Sequence, residues 1–248
     1  MKLNPNRRIG KVLYLVEGDV DEVIILERIF SRLLNYSVVT YDKRFDNVTC
    51  LVKPNDKYSK VFIVPMKYSA VSKIESSADY IEYVYQRLKS FGLEKEECAR
   101  YLLFDRDEGS NTHDMLKHLF SVFKNSLDNE LEINGLLLLS YPCVQSFYCE
   151  CFNDHTRLSS SHLMKSYTNK YDINDVDENK LLNGAESMMK MILSIIKQPS
   201  FDVNNLDNMQ VVNTDILISQ DDMFSMKHLY NTLSLLFISL IDLWIIEL

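Results

Sequence analysis

The chain has 248 residues, 46% of them hydrophobic and 25% charged, with a formal net charge of −8; this suits one medium domain, or one domain with a helical appendage. Six glycines and five prolines exclude collagenous, linker-rich and disordered classes. The acidity excludes binding of nucleic acid through overall charge, which takes a basic chain, and leaves a local basic strip, metal ions that offset acidic groups, or a partner subunit.

The predicted elements alternate strand and helix in the first half. Residues 12–16 (Val-Leu-Tyr-Leu-Val) form the first strand and residues 20–34 the first helix. Residues 36–51 read as short strand or hairpin material, and residues 60–66 (Lys-Val-Phe-Ile-Val-Pro-Met) as a second buried strand. A helix is expected over 76–91, ended by Gly92, because glycine is the common helix terminator. Residues 101–104 give a third strand, 113–125 a third helix and 136–139 a fourth strand, stopped by Ser140-Tyr141-Pro142. The apolar runs are continuous rather than alternating, which points to a parallel sheet covered on both faces. From Val144 the composition changes. Residues 153–177 are polar, helices are expected over 183–197 and 225–248, and residues 201–210 read as a loop. The expected domains are therefore an α/β domain over 1–147 and a helical appendage over 148–248.

Five cysteines (Cys50, Cys98, Cys143, Cys149, Cys151) include no CxxC pair, and the five histidines show no metal-ligand spacing. Reduced thiols and a cytoplasmic location are the plain expectation. No signal peptide is read at the start. The apolar stretch 233–248 is shorter than a membrane span and is interrupted by Ser234, Ser239, Asp242 and Glu247, so no membrane is expected. An apolar helix there must be buried by its own domain, a second subunit or a partner, and part of it is expected in a protein–protein contact. No GxGxxG or Walker loop occurs, so the chain carries no recognisable nucleotide-hydrolysing motor.

Two acidic turns follow buried strands. The first reads Val16-Glu17-Gly18-Asp19-Val20-Asp21, and Gly18 permits a sharp turn. The second reads Phe104-Asp105-Arg106-Asp107-Glu108-Gly109. Asp105 and Asp107 share one side of an extended segment, with Arg106 on the other. Glu17, Asp19, Asp21 and Glu22 also fit a helix start stabilised by the helix dipole, and Asp105–Gly109 also fits an acidic turn. Carboxylates gathered past the ends of neighbouring parallel strands meet in the crevice where open α/β sheets bind ligands. Their mutual repulsion is offset by a shared proton or by a hard cation, with Mg²⁺ or Mn²⁺ the expected ion. Glu108 is a candidate for a second ion. Among the scattered basic residues, the stretch from Lys53 to Lys60 is the best candidate for a phosphate-facing loop.

The order "apolar strand, Glu-Gly-x-x-Asp, helix, apolar strand, Asp-x-Asp" resembles the Toprim (topoisomerase–primase) domain, over residues 11–147. The resemblance implies a Toprim-like, mostly parallel sheet flanked by helices, with Glu17, Asp105 and Asp107 as catalytic metal ligands, assisted by Asp21. It implies a Mg²⁺- or Mn²⁺-dependent nuclease acting on DNA or RNA. Small proteins of this kind resemble effectors of bacterial anti-phage and abortive-infection systems, which implies a protein partner, often an ATPase, and leaves a homo-oligomer open. The segment Ser140-Tyr141-Pro142-Cys143-Val144-Gln145 resembles a third element in which relatives read Ser-x-Pro-x-aromatic-Glu. Ser140 and Pro142 match; Gln145 stands where glutamate is expected, and Glu150 lies more than a helical turn beyond. The second reading is a Toprim-fold binding or regulatory subunit that has lost catalysis.

Overall fold

The computed structural model describes residues 1–18, 20–39, 48–66, 82, 84–86, 88–89, 92–93, 98–106, 111–127, 135–197 and 209–248. The strands are β1 (Lys2–Leu3), β2 (Lys11–Val16), β3 (Ser37–Val39), β4 (Thr49–Lys53), β5 (Asp56–Pro65), β6 (Cys98–Asp105), β7 (Lys124–Asn125), β8 (Gly135–Tyr141), β9 (Arg157–Leu158), β10 (Tyr230–Asn231), β11 (Leu233–Ser234) and β12 (Ile246–Glu247). The helices are α1 (Asp21–Arg28, continued by a π-turn over Ile29–Leu33), α2 (His113–Val122), α3 (Ser146–Cys151), α4 (Ser161–Thr168), α5 (Glu178–Ile196), α6 (Met209–Lys227) and α7 (Leu236–Asp242). The fold is α/β, with helices flanking a mostly parallel sheet of order β11-β8-β6-β2-β5-β4-β3, and β7 paired to β8.

The chain packs as two compact units, one of Met1–Arg7, Leu103–Glu108 and Leu138–Leu248, the other of Arg8–Leu102 and Gly109–Leu137. This division differs from the expected boundary after residue 147, because the last residues of β6 and β8 pack with the C-terminal half.

In the second of these units, β2 and β5 run parallel from Lys11↔Lys60 to Val16↔Pro65. Val12, Leu13, Tyr14, Leu15 and Val16 are all buried, as a strand covered on both faces requires. Tyr14 stacks on Tyr101 with ring centroids 5.2 Å apart. β4 returns antiparallel to β5 and carries β3 at its far side. The helix expected over 76–91 lies mostly outside the described residues; Glu82, residues 84–86 and Leu88 are helical. Gly92 takes a φ of 81°, as a terminating glycine does. α2 begins at Thr112, whose hydroxyl accepts the Met115 N–H at 3.4 Å.

In the other unit the C-terminal segment departs from expectation. Residues 225–248 are not one helix: α6 ends, His228 takes a left-handed φ of 53°, and three short strands surround α7. β11 adds antiparallel to β8, with Leu233 opposite Tyr141. The run is apolar because Leu235, Leu236, Phe237, Ile238, Leu240, Ile241, Ile245 and Ile246 fill this unit's own core, each at most 2% exposed. The surface expected to meet a partner is thus covered within the chain, and only Trp244 (47%) and Leu248 (56%) stand out as exposed large apolar residues after Met226. The polar stretch 153–177 contains α4, capped by the Ser160 hydroxyl on the Leu163 N–H. The expected loop 201–210 falls largely outside the described residues, except that Met209 and Gln210 belong to α6. No helix among the described residues is long and apolar enough to cross a membrane.

α5 starts at Asp177, whose carboxylate accepts the Lys180 N–H at 2.9 Å. It approaches α7 closely at Gly184, where an added Cβ would lie 2.5 Å from Phe237 Cζ and 3.1 Å from Cys151 Sγ. Phe237 has little room to yield, since its ring stacks on Phe147 at 5.1 Å. Gly184→Ala is therefore expected to lower stability by about 1–3 kcal/mol through overpacking, read as a lower urea midpoint with an unchanged slope.

Candidate functional site

Glu17 follows the last residue of β2 and is half-buried; Asp21, also half-buried, is the first residue of α1. Asp21 and Glu22 together place two acids in the first turn, where the helix dipole favours negative charge. Gly18 has no positive φ, so conformational freedom is not what the position demands. A Cβ there would overlap the carboxylate of Glu22. The Glu22 side chain, 4% exposed, ends against Gly18, and a side chain at 18 would have to displace its carboxylate. From the sequence alone, Glu22 fits only the helix-dipole role. Its i+4 spacing from Gly18 is the signal that marks it.

In the other unit, Asp105 closes β6 and is half-buried. Its Oδ1 accepts the Val144 N–H at 2.7 Å, which fixes the carboxylate's orientation. Arg106 is not a solvated surface charge: it is 5% exposed. Its Nε and Nη2 donate to Asp221 Oδ1 at 3.2 and 3.0 Å, and Nη2 also donates to Oδ2 at 3.1 Å. Its backbone N–H donates to Ser140 O at 2.8 Å. Asp19, Asp107 and Glu108 lie outside the described residues. Among the described residues no group of three or more His, Cys, Asp or Glu is placed to hold a metal ion.

The third sequence element is structural where the structure describes it. Ser140 is 6% exposed and its hydroxyl lies 3.2 Å from that of Ser234. Gln145 is 5% exposed and precedes α3. Glu150 is 1% exposed, with Oε1 accepting the Ser234 N–H at 3.2 Å. It stands under β11 in the core, so it supplies no ligand to a second ion. Burial pushes its carboxyl well above the usual carboxylate range, and the Ser234 N–H only partly offsets this. The nearby Cys143 thiol is raised by burial and further by the Asp105 charge, and all five cysteines are buried.

The stretch from Lys53 to Lys60 is not a loop near the acids. It is the β4–β5 hairpin, and Lys60 lies opposite Lys11 at the start of β2. Glu17 stands past the opposite end of that strand, about 20 Å away at roughly 3.3 Å per residue. Lys53 instead lies over the Tyr36 ring at 5.2 Å, and Asp56, held below the usual carboxylate range chiefly by the Ser59 hydroxyl, organises the turn. Lys170, another scattered cation, donates to Asp154 at 2.7 Å. Family models, curated proteins and solved structures gave no match to this chain.

Two outcomes follow. Asp221→Ala leaves a buried guanidinium without its carboxylate and is expected to cost about 3 kcal/mol, measured by denaturant unfolding. Glu150 binds a proton in the native state that the unfolded chain releases above its ordinary value of 4.5. Its contribution is therefore complete below that pH and is lost as pH rises toward the native-state value. Unfolding free energies of wild type and Glu150→Gln, measured from pH 4 to pH 7, are expected to separate progressively in favour of the variant as pH rises.

Proposed function

We propose that the chain is a Mg²⁺- or Mn²⁺-dependent nuclease of Toprim type, with Glu17, Asp105 and Asp107 as the metal ligands, and Asp21 and Glu108 beside them. The observation that carries the reading is positional. Glu17 directly follows β2, Asp105 ends β6, and β2 and β6 are neighbours in the sheet. The donor chemistry fits a hard cation, since Glu17, Asp21 and Asp105 are half-buried oxygen donors at strand or helix ends. The described residues do not by themselves make a set of three, so the reading depends on Asp107. Bound there, a divalent ion would offset charge on a scissile phosphate and lower the pKa of a bound water. The Val144 N–H holds Asp105 in one orientation, and Gly18 leaves room for the Glu22 carboxylate beside Glu17.

Gln145 and the buried Glu150 contribute no carboxylate for a second ion, which favours a one-metal site. The same observation supports the alternative of a Toprim-fold regulatory subunit without catalysis. A net charge of −8 argues for a partner that supplies the nucleic-acid footprint, and an ATPase subunit of a bacterial anti-phage system is the partner the reading favours.

Pure protein incubated with labelled DNA, total RNA and transfer RNA separates the two readings. A nuclease cleaves at least one substrate with Mn²⁺ or Mg²⁺ and not with EDTA. Asp105→Asn keeps an acceptor for the Val144 N–H while removing the charge, so it is expected to fold normally and to lose about a hundredfold or more in rate. Cleavage at the wild-type rate by Asp105→Asn and Glu17→Ala overturns the assignment. Absence of both cleavage and metal binding favours the regulatory subunit.

A further inference from the structure

We infer that a second site, independent of the acidic turns, binds a small phosphate-bearing ligand of mononucleotide size. It is a cleft of about 640 Å³ within the C-terminal unit, walled by α5, β9 and β10. That volume is in the range of small-ligand sites. In a chain of net charge −8, the cations of this cleft, Arg157 and Lys190, outnumber its one acid, Glu186, and His155 stands beside them. Glu186 is already engaged with Lys190 at 2.9 Å, one turn apart on α5.

Arg157 is held ready rather than merely exposed. Its Nε donates to Asn231 Oδ1 at 3.0 Å, and the two residues are paired across β9 and β10. Asn231 is fixed in turn by Gln220, which accepts its N–H at 3.0 Å and donates to its carbonyl at 3.2 Å. Holding Nε this way sets the guanidinium plane and leaves the Nη nitrogens as donors for an oxyanion, the geometry that suits phosphate.

The opposite wall carries an independent sign of a ligand. Ser187 is 9% exposed, lines the cleft, and its hydroxyl has no hydrogen-bond partner. A buried hydroxyl of this kind is costly unless something accepts or donates to it. Asn183, Ser187, Met191 and Ile195 all line the cleft and recur every four residues, so they form one stripe of α5. The stripe passes from amide and hydroxyl to apolar side chains. An anionic group on a flat, partly apolar body matches cations, amide and apolar wall together; a bare inorganic ion would use only the cations.

The test is calorimetric titration of the full chain with AMP, GMP, CMP and UMP, with inorganic phosphate and a single-stranded oligonucleotide as separate arms. At least one mononucleotide is expected to bind with a Kd of about 1 mM or below, more tightly than phosphate. Arg157→Ala is expected to weaken it about tenfold or more, and Arg157→Lys to restore only part. Ser187→Ala is expected to weaken binding several-fold while its melting temperature stays level or rises, since the variant no longer buries an unpaired hydroxyl. No saturable mononucleotide binding overturns the inference, as does binding by the oligonucleotide alone or binding unchanged in both Arg157→Ala and Ser187→Ala. Loss of Asp105-dependent cleavage leaves this site untouched, so the two readings fail separately.

Discussion

A buried guanidinium must find its counter-charge, and the end of β6 is arranged around that demand. Arg106 follows Asp105 directly and is 5% exposed, so its cation is tolerable only with a geometrically good partner. Asp221, 115 residues away on α6, receives both Nε and Nη2. The Arg106 N–H meanwhile donates to Ser140 on β8, and Asp105 itself accepts from Val144. Two successive residues are thus tied to α6, to β8 and to the turn before α3. A carboxylate at the end of a strand normally samples many directions. This one is oriented by its surroundings before any ligand arrives, which is the condition a precise oxygen donor needs. A charge that contributes little to net stability fixes the position of the charge beside it.

The central strands were legible because burial on both faces leaves a local mark. β2, β5, β6 and β8 each appear in the sequence as unbroken apolar runs, and the strand interiors that those runs predict are buried in the structure. The C-terminal segment left no such mark. Residues 233–248 are apolar enough for a helix, a strand or a span, and local pattern does not separate these for short runs. What divides them is the left-handed turn at His228 and the pairing of Leu233 with Tyr141, and the pairing partner lies far away in sequence. α4 was missed for the opposite reason. Its exposed polar face dominates the composition, while only Met164 and Thr168 are buried.

The strand ends that carry Glu17 and Asp105 were legible in the sequence, and the contacts around them were not. Glu17 and Asp105 stand at the element ends that the sequence indicated. The roles of Gly18 and Arg106 did not follow from their neighbours. Gly18 looks like a turn residue, yet it serves the approach of Glu22. Arg106 looks like a solvent-facing spacer between two acids, yet its guanidinium is buried and bonded to Asp221. Ser140, Gln145 and Glu150, in or just beyond the third sequence element, are all buried. A hydroxyl, amide or carboxyl carries no local sign of whether its partner is a ligand or another part of the chain.

The C-terminal unit gathers three separated stretches, Met1–Arg7, Leu103–Glu108 and Leu138–Leu248, and its two extremes meet. Lys2 and Leu3 pair with Glu247 and Ile246, the Asn4 amide donates to Glu247 at 2.8 Å, and Arg7 lies over Trp244 at 6.0 Å. The Asn4–Glu247 contact thus joins residues 243 positions apart, and β1 has no partner nearer in sequence than β12 among the described strands. The unit cannot close through local contacts alone. Such a contact carries a large loop-closure cost that must be met before the contact forms, so the β1–β12 edge is expected to be a late and slow part of this unit's folding.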